Sequence, residues 1–384
     1  MGIVIIFLIL CIFVGCLPPP KPPPNLIKLP FKKWPVLKKP QDLDTFFVAL
    51  ERSLNYYQKL PPDYTFLVAG TPYTALEMEK SLKIFKYCLN KSNWQSCIRN
   101  YFDLYQAAGL NQKREVLFTG YYQPILYGSF SPNERFKYPI YRVPDELLKI
   151  DLKRFDETLP PRILIGMVRG NEVIPFYSRA EIDYSLKLAG KGYEIIWVDD
   201  PIELFFLHIQ GSGIVILPDG KKVYLHYAIS NGRPYKSIGQ VMKTLGLLEK
   251  PNGIKIKKYF KNHPEMMKKI FSVNESYIFF QIVEKGPLGA LDEILTPYYS
   301  LATDPNIFPK GSMLFLQTEI PIVDDKQNLK GWQTFHSFAL SQDTGSAIKG
   351  PGRADIFFGT GNKAEAKACY MARRGKLYLL IKKK

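Results

Sequence analysis

The spacing of hydrophobic positions changes character several times along the chain. Residues 3–14 form an almost unbroken, uncharged apolar run, long enough for the hydrophobic region of an export signal and too short to span a bilayer. From residue 43 to 108 the spacing is helical: Phe46, Phe47, Leu50, Leu54 and Tyr57 share one face. Thr71-Pro72 predicts the cap and first turn of a second helix. Asn93 predicts the start of a third, burying Trp94, Cys97, Ile98, Tyr101, Phe102 and Tyr105. From Glu115 the runs shorten to strand length between Gly and Pro, at 116–119, 139–143, 163–168, 214–217 and 223–227, with Pro218-Asp219-Gly220 as a hairpin turn. Residues 246–270 are lysine-rich and helix-compatible and are expected to return the chain to its first domain. Strands resume at 277–283, 313–318, 335–340, 354–358 and 377–381. Asn362 with Glu365 predicts a short capped helix before the last of these, closed by Arg373, Arg374 and Gly375.

The pattern predicts a mainly β fold with N-terminal helices. A signal at 1–15 and a tether at 16–40 precede a barrel domain made of 41–119 and 246–384, into which a smaller β-barrel-like domain, 120–245, is inserted. The tether follows from composition: residues 17–40 carry nine prolines and six lysines, which favour extended polyproline II over a core. With 384 residues, 46% of them apolar, the chain can bury a core, which excludes disordered, collagenous and polytopic membrane classes. The net charge of +17 implies acidic partners (nucleic acid, an anionic membrane surface or a carboxylate-bearing polymer), with a basic but inert, solubilising surface as the plain alternative.

Gly15-Cys16 after the apolar run resembles the lipobox of bacterial lipoproteins, in which Cys16 becomes the lipidated N-terminus; Phe13 stands where that motif usually has Leu. Cys88 and Cys97, nine apart in an exported chain, allow a disulfide with Cys369 left over, and three buried free thiols are the alternative. The four histidines are scattered and no Cys-x-x-Cys occurs, so neither metal nor cofactor is expected; phosphate-loop and dinucleotide fingerprints are lacking too.

The densest small and polar segment runs from Gln342 through Asp343, Gly345, Ser346, Lys349 and Gly352 to Arg353 and Asp355. A carboxylate beside an aromatic strand can have its pKa raised enough to act as a general acid, whereas a solvated Asp in a Gly-rich turn is the plain alternative. Asp343-Thr344-Gly345 also reads like half of an aspartic-protease pair, but no second copy occurs. Phe205 through Gly213 reads as a strand ending in a polar corner, where Gln210 and Ser212 carry donors and acceptors suited to sugars. Tyr121 and Tyr122, in the run 118–124, offer aromatic faces for stacking.

Together these segments resemble the membrane-bound lytic murein transglycosylase A family. The motifs lie at 118–124, 139–144, 178–182, 200–213, 227–239 with Asn231-Gly232, 277–280, Ala302-Thr303-Asp304-Pro305, Pro309-Lys310-Gly311 and 342–359, in order over roughly 115 to 381. Such membership implies a double-psi β-barrel with the inserted domain across a substrate groove. It also implies non-hydrolytic cleavage of peptidoglycan between N-acetylmuramic acid and N-acetylglucosamine, leaving 1,6-anhydromuramoyl ends. By motif position Asp355 is the single acid/base and Asp343 its support. Tyr122, Gln210, Ser212, Gly213, Asn231, Asp304 and Lys349 are implied substrate-binding residues. The implied partners are glycan strands and, through Cys16, the periplasmic face of the outer membrane, with no nucleic acid and a monomeric chain that other cell-wall enzymes can join. Relatives often have glycine where Ser346 stands and an acid where Gln123 stands. Two other readings stay open: an inverting hydrolase on the same barrel, and a wall-binding protein that does not cut.

Overall fold

The computed structural model describes residues 24–384; the apolar run and Cys16 lie outside the described residues. Six strands close a barrel in the cyclic order Val116–Gln123, Arg353–Thr360, Ser300–Ala302, Leu329–Asp343, Met313–Val323 and Ala372–Lys382, the last pairing back onto the first. Two of the neighbours are parallel: Val116–Gln123 with Arg353–Thr360, and Ser300–Ala302 with Leu329–Asp343. Closure brings backbones very close at Gly375, where a Cβ would stand 2.2 Å from the carbonyl oxygen of Gln317, so only glycine fits. Beyond the closing turn, Ala372–Lys382 also pairs with Phe102–Ala107, and that strand pairs with Leu26–Lys28.

The helix Leu43–Gln58 starts where Asp42 accepts from the Thr45 amide at 2.9 Å, and it buries Phe46, Leu50, Leu54 and Tyr57 as the spacing predicts. Its Phe46 meets Phe85 of the helix Ala75–Leu89, which stacks edge-on against Phe338 of the barrel, ring centres 4.8 Å apart. Cys88 and Cys97 are joined in a disulfide that ties this helix to Trp94–Tyr101; Cys369 is free.

Several expectations are corrected. Thr71–Thr74 is a strand hairpinned on Thr65–Val68, and the cap is Thr74, in a reciprocal box with Glu77. The third helix stops at Tyr101: β-branching is absent, but Phe102–Ala107 gains more from joining the barrel edge, so Phe102 and Tyr105 are buried on a strand and Tyr101 is exposed. The tether is shorter than composition suggests, because Leu26, Leu29 and Leu37 are buried against the barrel. At the far end the helix Asn362–Tyr370 is present, but Gly361 occupies the cap position without a side-chain bond, and Arg373, Arg374 and Gly375 belong to the next strand.

Between Gln123 and Ser300 the chain builds a six-stranded sheet in the order Ile278–Val283, Lys222–Ser230, Ser212–Ile216, Ile125–Ser129, Glu194–Val198 and Tyr138–Tyr141, plus a three-stranded sheet. Among the described residues its two end strands do not pair, so the expected small barrel is an open sheet. The chain does not return at 246: the helices Gly253–Asn262 and Met267–Phe271 lead to Ile278–Val283, which pairs with Lys222–Ser230, and the barrel resumes only at Ser300.

The segment read as a strand at 205–210 is helical. Asp200 accepts from the amides of Ile202 and Glu203, Pro201 takes the first turn, and Gly211 at φ 82° ends Pro201–Gln210. An apolar run buried on nearly all sides carries no periodicity to tell helix from strand; the cap and proline decide it.

Candidate active site

Pairing register, not sequence proximity, assembles the site. Asp343 and Asp355 both pair with Ala302, one on each side of the short central strand, and Asp355 pairs in turn with Thr119. Four residues thus form one row across four strands. The Thr119 hydroxyl donates to Asp355 Oδ1 and accepts from an Arg353 Nη at 3.1 Å. Because Arg353 can only donate, it commits the single threonine proton to the carboxyl.

Both carboxyls have pKa values raised into the working range of an acid/base. Burial lifts Asp355 to about 7 against the pull of the Arg353 guanidinium, helped by the negative charge of Asp343. Burial likewise lifts Asp343 to about 6, although its Oδ1 accepts from the amides of Thr344 at 2.8 Å and Ala290 at 3.1 Å and Lys310 stands nearby. The hydroxyl of Tyr121, shielded beside them, makes no hydrogen bond within the described protein, and burial with the charge of Asp343 holds it well above 10.

A cavity of about 620 Å³ opens beside Asp343 between the barrel and the inserted sheet. The barrel side is lined by Lys310, Asp343, Thr344, Gly345, Ser346 and Lys349; the facing wall includes Gln210, Ser212, His226, Tyr227, Arg233 and Tyr235. Gln210 is positioned at the end of its helix, where its Oε1 accepts from the Tyr122 amide at 3.1 Å. Burial pushes His226 below its ordinary value, so it is a neutral wall residue at pH 7. Among the described residues no group of three or more His, Cys, Asp or Glu is arranged to hold a metal ion.

Of the residues expected to touch substrate, Gln210, Ser212 and Lys349 line this cavity with Asp343. Four others do not. Tyr122 is buried, with its hydroxyl donating to Glu365 at 3.2 Å and accepting from Lys257 at 3.3 Å. Asn231 is fully buried and fully used, donating to the carbonyls of Tyr177 and Glu275 and accepting from the amides of Tyr277 and Arg233. Asp304 is buried and accepts from the amides of Asn306 and Gly350, anchoring the loop that carries Lys349. Gly213 lies under Leu207, where a Cβ would approach to 2.5 Å. Sequence reading passed over Thr119, Arg233, Lys310, Tyr227 and Tyr235. Tyr227 and Tyr235 are 42% and 45% exposed in the cavity wall; for Tyr227, an aromatic at the end of the run 223–227 was the available signal, and Tyr235, in a loop, offered none.

Asp343 lines the cleft, whereas Asp355 lies in the same strand row on the other side of Ala302 and is not part of the lining. A closed barrel with two carboxyls of raised pKa in one row, one of them at a polar cleft, defines an enzyme of acid–base chemistry. Residues 117–281 match the MltA specific insert domain and residues 299–381 the 3D domain. The membrane-bound lytic murein transglycosylase A of Escherichia coli strain K12 is 30% identical over 283 residues, covering 72% of this chain and 69% of the relative. That of Vibrio cholerae serotype O1 is 29% identical over 283 residues, covering 72% and 68%. The solved membrane-bound lytic murein transglycosylase from Agrobacterium tumefaciens superposes with a TM-score of 0.76 at 26% identity, covering 93% of this chain and 98% of its own. The chain belongs to the membrane-bound lytic murein transglycosylase A family and is a peptidoglycan lytic transglycosylase.

Proposed function

We propose that the chain cuts the β-1,4 bond between N-acetylmuramic acid and N-acetylglucosamine without water, with Asp355 as the only acid/base. The observation that carries this reading is the carboxyl of Asp355, raised to about 7 and fixed by Thr119. Protonated Asp355 gives its proton to the glycosidic oxygen as the bond to the anomeric carbon breaks. The resulting carboxylate takes the proton of the muramoyl C6 hydroxyl while that oxygen bonds to the anomeric carbon, closing the 1,6-anhydro ring. Asp343, held by two amides, stabilises positive character at the anomeric carbon; Gln210, Ser212 and Lys349 bind the sugars.

The test is the pH profile. kcat/KM should fall on the basic side near pH 7, because Asp355 must start protonated. Thr119→Val removes a bond to the charged form, so that limb should move up by about one pH unit, with Thr119→Ser retaining it. A limb that stays put in the valine variant, or that lies below pH 5, contradicts the assignment.

One observation favours a second reading. Asp343 and Asp355 flank Ala302, two strand spacings apart, which is about 9–10 Å between backbones and compatible with the carboxyl separation of inverting hydrolases. The identity of the new chain end separates the two.

The proposal extends to the barrel type and the address. The two parallel pairings support the double-psi description. The relatives are named membrane-bound, no helix among the described residues is long and apolar enough to cross a membrane, and Cys16 after the apolar run supplies a lipid attachment at the periplasmic face of the outer membrane.

A further inference from the structure

The cleft is asymmetric in charge. Among its lining residues Arg233, Lys310 and Lys349 are cationic, and Asp343 is the one carboxylate. Lys310 is already engaged, donating to the carbonyl of Ala290 at 3.2 Å with its charge acting on Asp343. Lys349 has no charge partner among the described residues, and Arg233 has only a long one in Glu275. Lys349 is exposed on the barrel side and makes no ion pair or hydrogen bond among the described residues.

Arg233 stands on the opposite wall, held in place and partly exposed. Its Nε donates to the carbonyl of Phe176 at 2.8 Å, its amide donates to buried Asn231, and its side chain is 28% exposed. Glu275 comes only to 3.8 Å from Nη1, beyond hydrogen-bond reach. Anchoring through Nε leaves the terminal nitrogens of the fork for a bidentate acceptor, the geometry that suits a carboxylate. A bare amino-sugar chain offers no charge to such a fork. Murein does, because each muramoyl lactyl group carries a peptide stem with free carboxylates.

We infer that this cleft is built for glycan that still bears its peptide stems, with Arg233 as the residue that binds a stem carboxylate and Lys349 as its counterpart across the cleft. The inference rests on the reading that the cleft binds murein strands. It also gives Asn231 a purpose: its four backbone bonds shape the turn that presents Arg233.

The experiment compares kcat/KM on glycan strands carrying stems with kcat/KM on the same strands stripped by an amidase. Wild type should prefer stem-bearing strands, and that ratio should fall about tenfold in Arg233→Gln, less in Arg233→Lys, and less again in Lys349→Gln. Circular dichroism and thermal unfolding of each variant show that it is folded. A wild-type ratio near one, or a ratio unchanged in both Arg233 variants, overturns the inference. Asp355→Asn run on both substrates separates the two failures: if it keeps lysing, the acid/base reading fails while the ratio still reports on Arg233.

Discussion

Asp355→Asn is expected to lower lysis by about 10²–10⁴-fold and at the same time to make the protein more stable above pH 7. The loss follows from removing the one group that can hold and return the proton. The gain follows from the sign of the pKa shift. The native carboxyl binds its proton until about pH 7, whereas in the unfolded chain it ionises near its ordinary value of 3.8. Between those values the native state binds more protons than the unfolded state, so the contribution of Asp355 is present below pH 4 and is lost as pH rises through 7. The full difference of about three pH units corresponds to about 4 kcal/mol, and partial exposure of the residue reduces it, giving about 1–4 kcal/mol. Asparagine stays neutral and keeps an oxygen for the Thr119 hydroxyl. Urea unfolding at pH 4 and pH 8 reads the effect: the variant should match the native protein at pH 4 and exceed it at pH 8. A variant less stable at pH 8 contradicts the account of a buried carboxyl.

The second large effect lies at the seam between barrel and insert. Lys257, 8% exposed, sits 2.6 Å from Glu203 of the inserted region and 2.5 Å from Glu365 of the barrel's helix, with Tyr122 and the ring of Phe206 completing its surroundings. Burial already raises Glu203, and the two carboxylates outweigh burial to raise Lys257. Lys257→Met leaves both carboxylates facing each other without a cation, at a cost of about 3–5 kcal/mol. The loss should shrink as pH falls and the carboxyls protonate, and adding Glu203→Gln and Glu365→Gln should recover most of it. Thermal unfolding of the single and triple variants measures this; a single variant within 1 kcal/mol of wild type, converted from its unfolding midpoint, rules out a compensated seam.

How far the sequence could be read follows from which physics is local. The helix at 43–58 was legible because its apolar spacing puts Phe46, Leu50, Leu54 and Tyr57 on one buried face; its Asp42 cap was not read from the sequence. Five of the six barrel strands were legible as short apolar runs, but the central strand Ser300–Ala302 was not, nor were the partners: Thr119 and Asp355 are 236 residues apart and meet through a parallel pairing that no short-range pattern specifies. Asp355 and Asp343 were found through motif resemblance, while the environment that raises them depends on closure of the barrel. Tyr122 and Asn231 show the converse. A polar residue in a Gly-rich corner has the same sequence signature whether it meets a ligand or the backbone, and burial alone tells these apart. Arg233 was hidden because its placement depends on the carbonyl of Phe176, 57 residues away along the chain.

The central claim is that one partly buried carboxyl cuts the strand and the muramoyl hydroxyl, not water, closes it. Mass spectrometry of the fragments released from purified peptidoglycan tests it most directly, with Asp355→Asn alongside. The account predicts muramoyl ends lighter than reducing ends by one water, and none from the variant. Reducing ends from the wild-type protein would contradict it and give Asp343 the task of activating water.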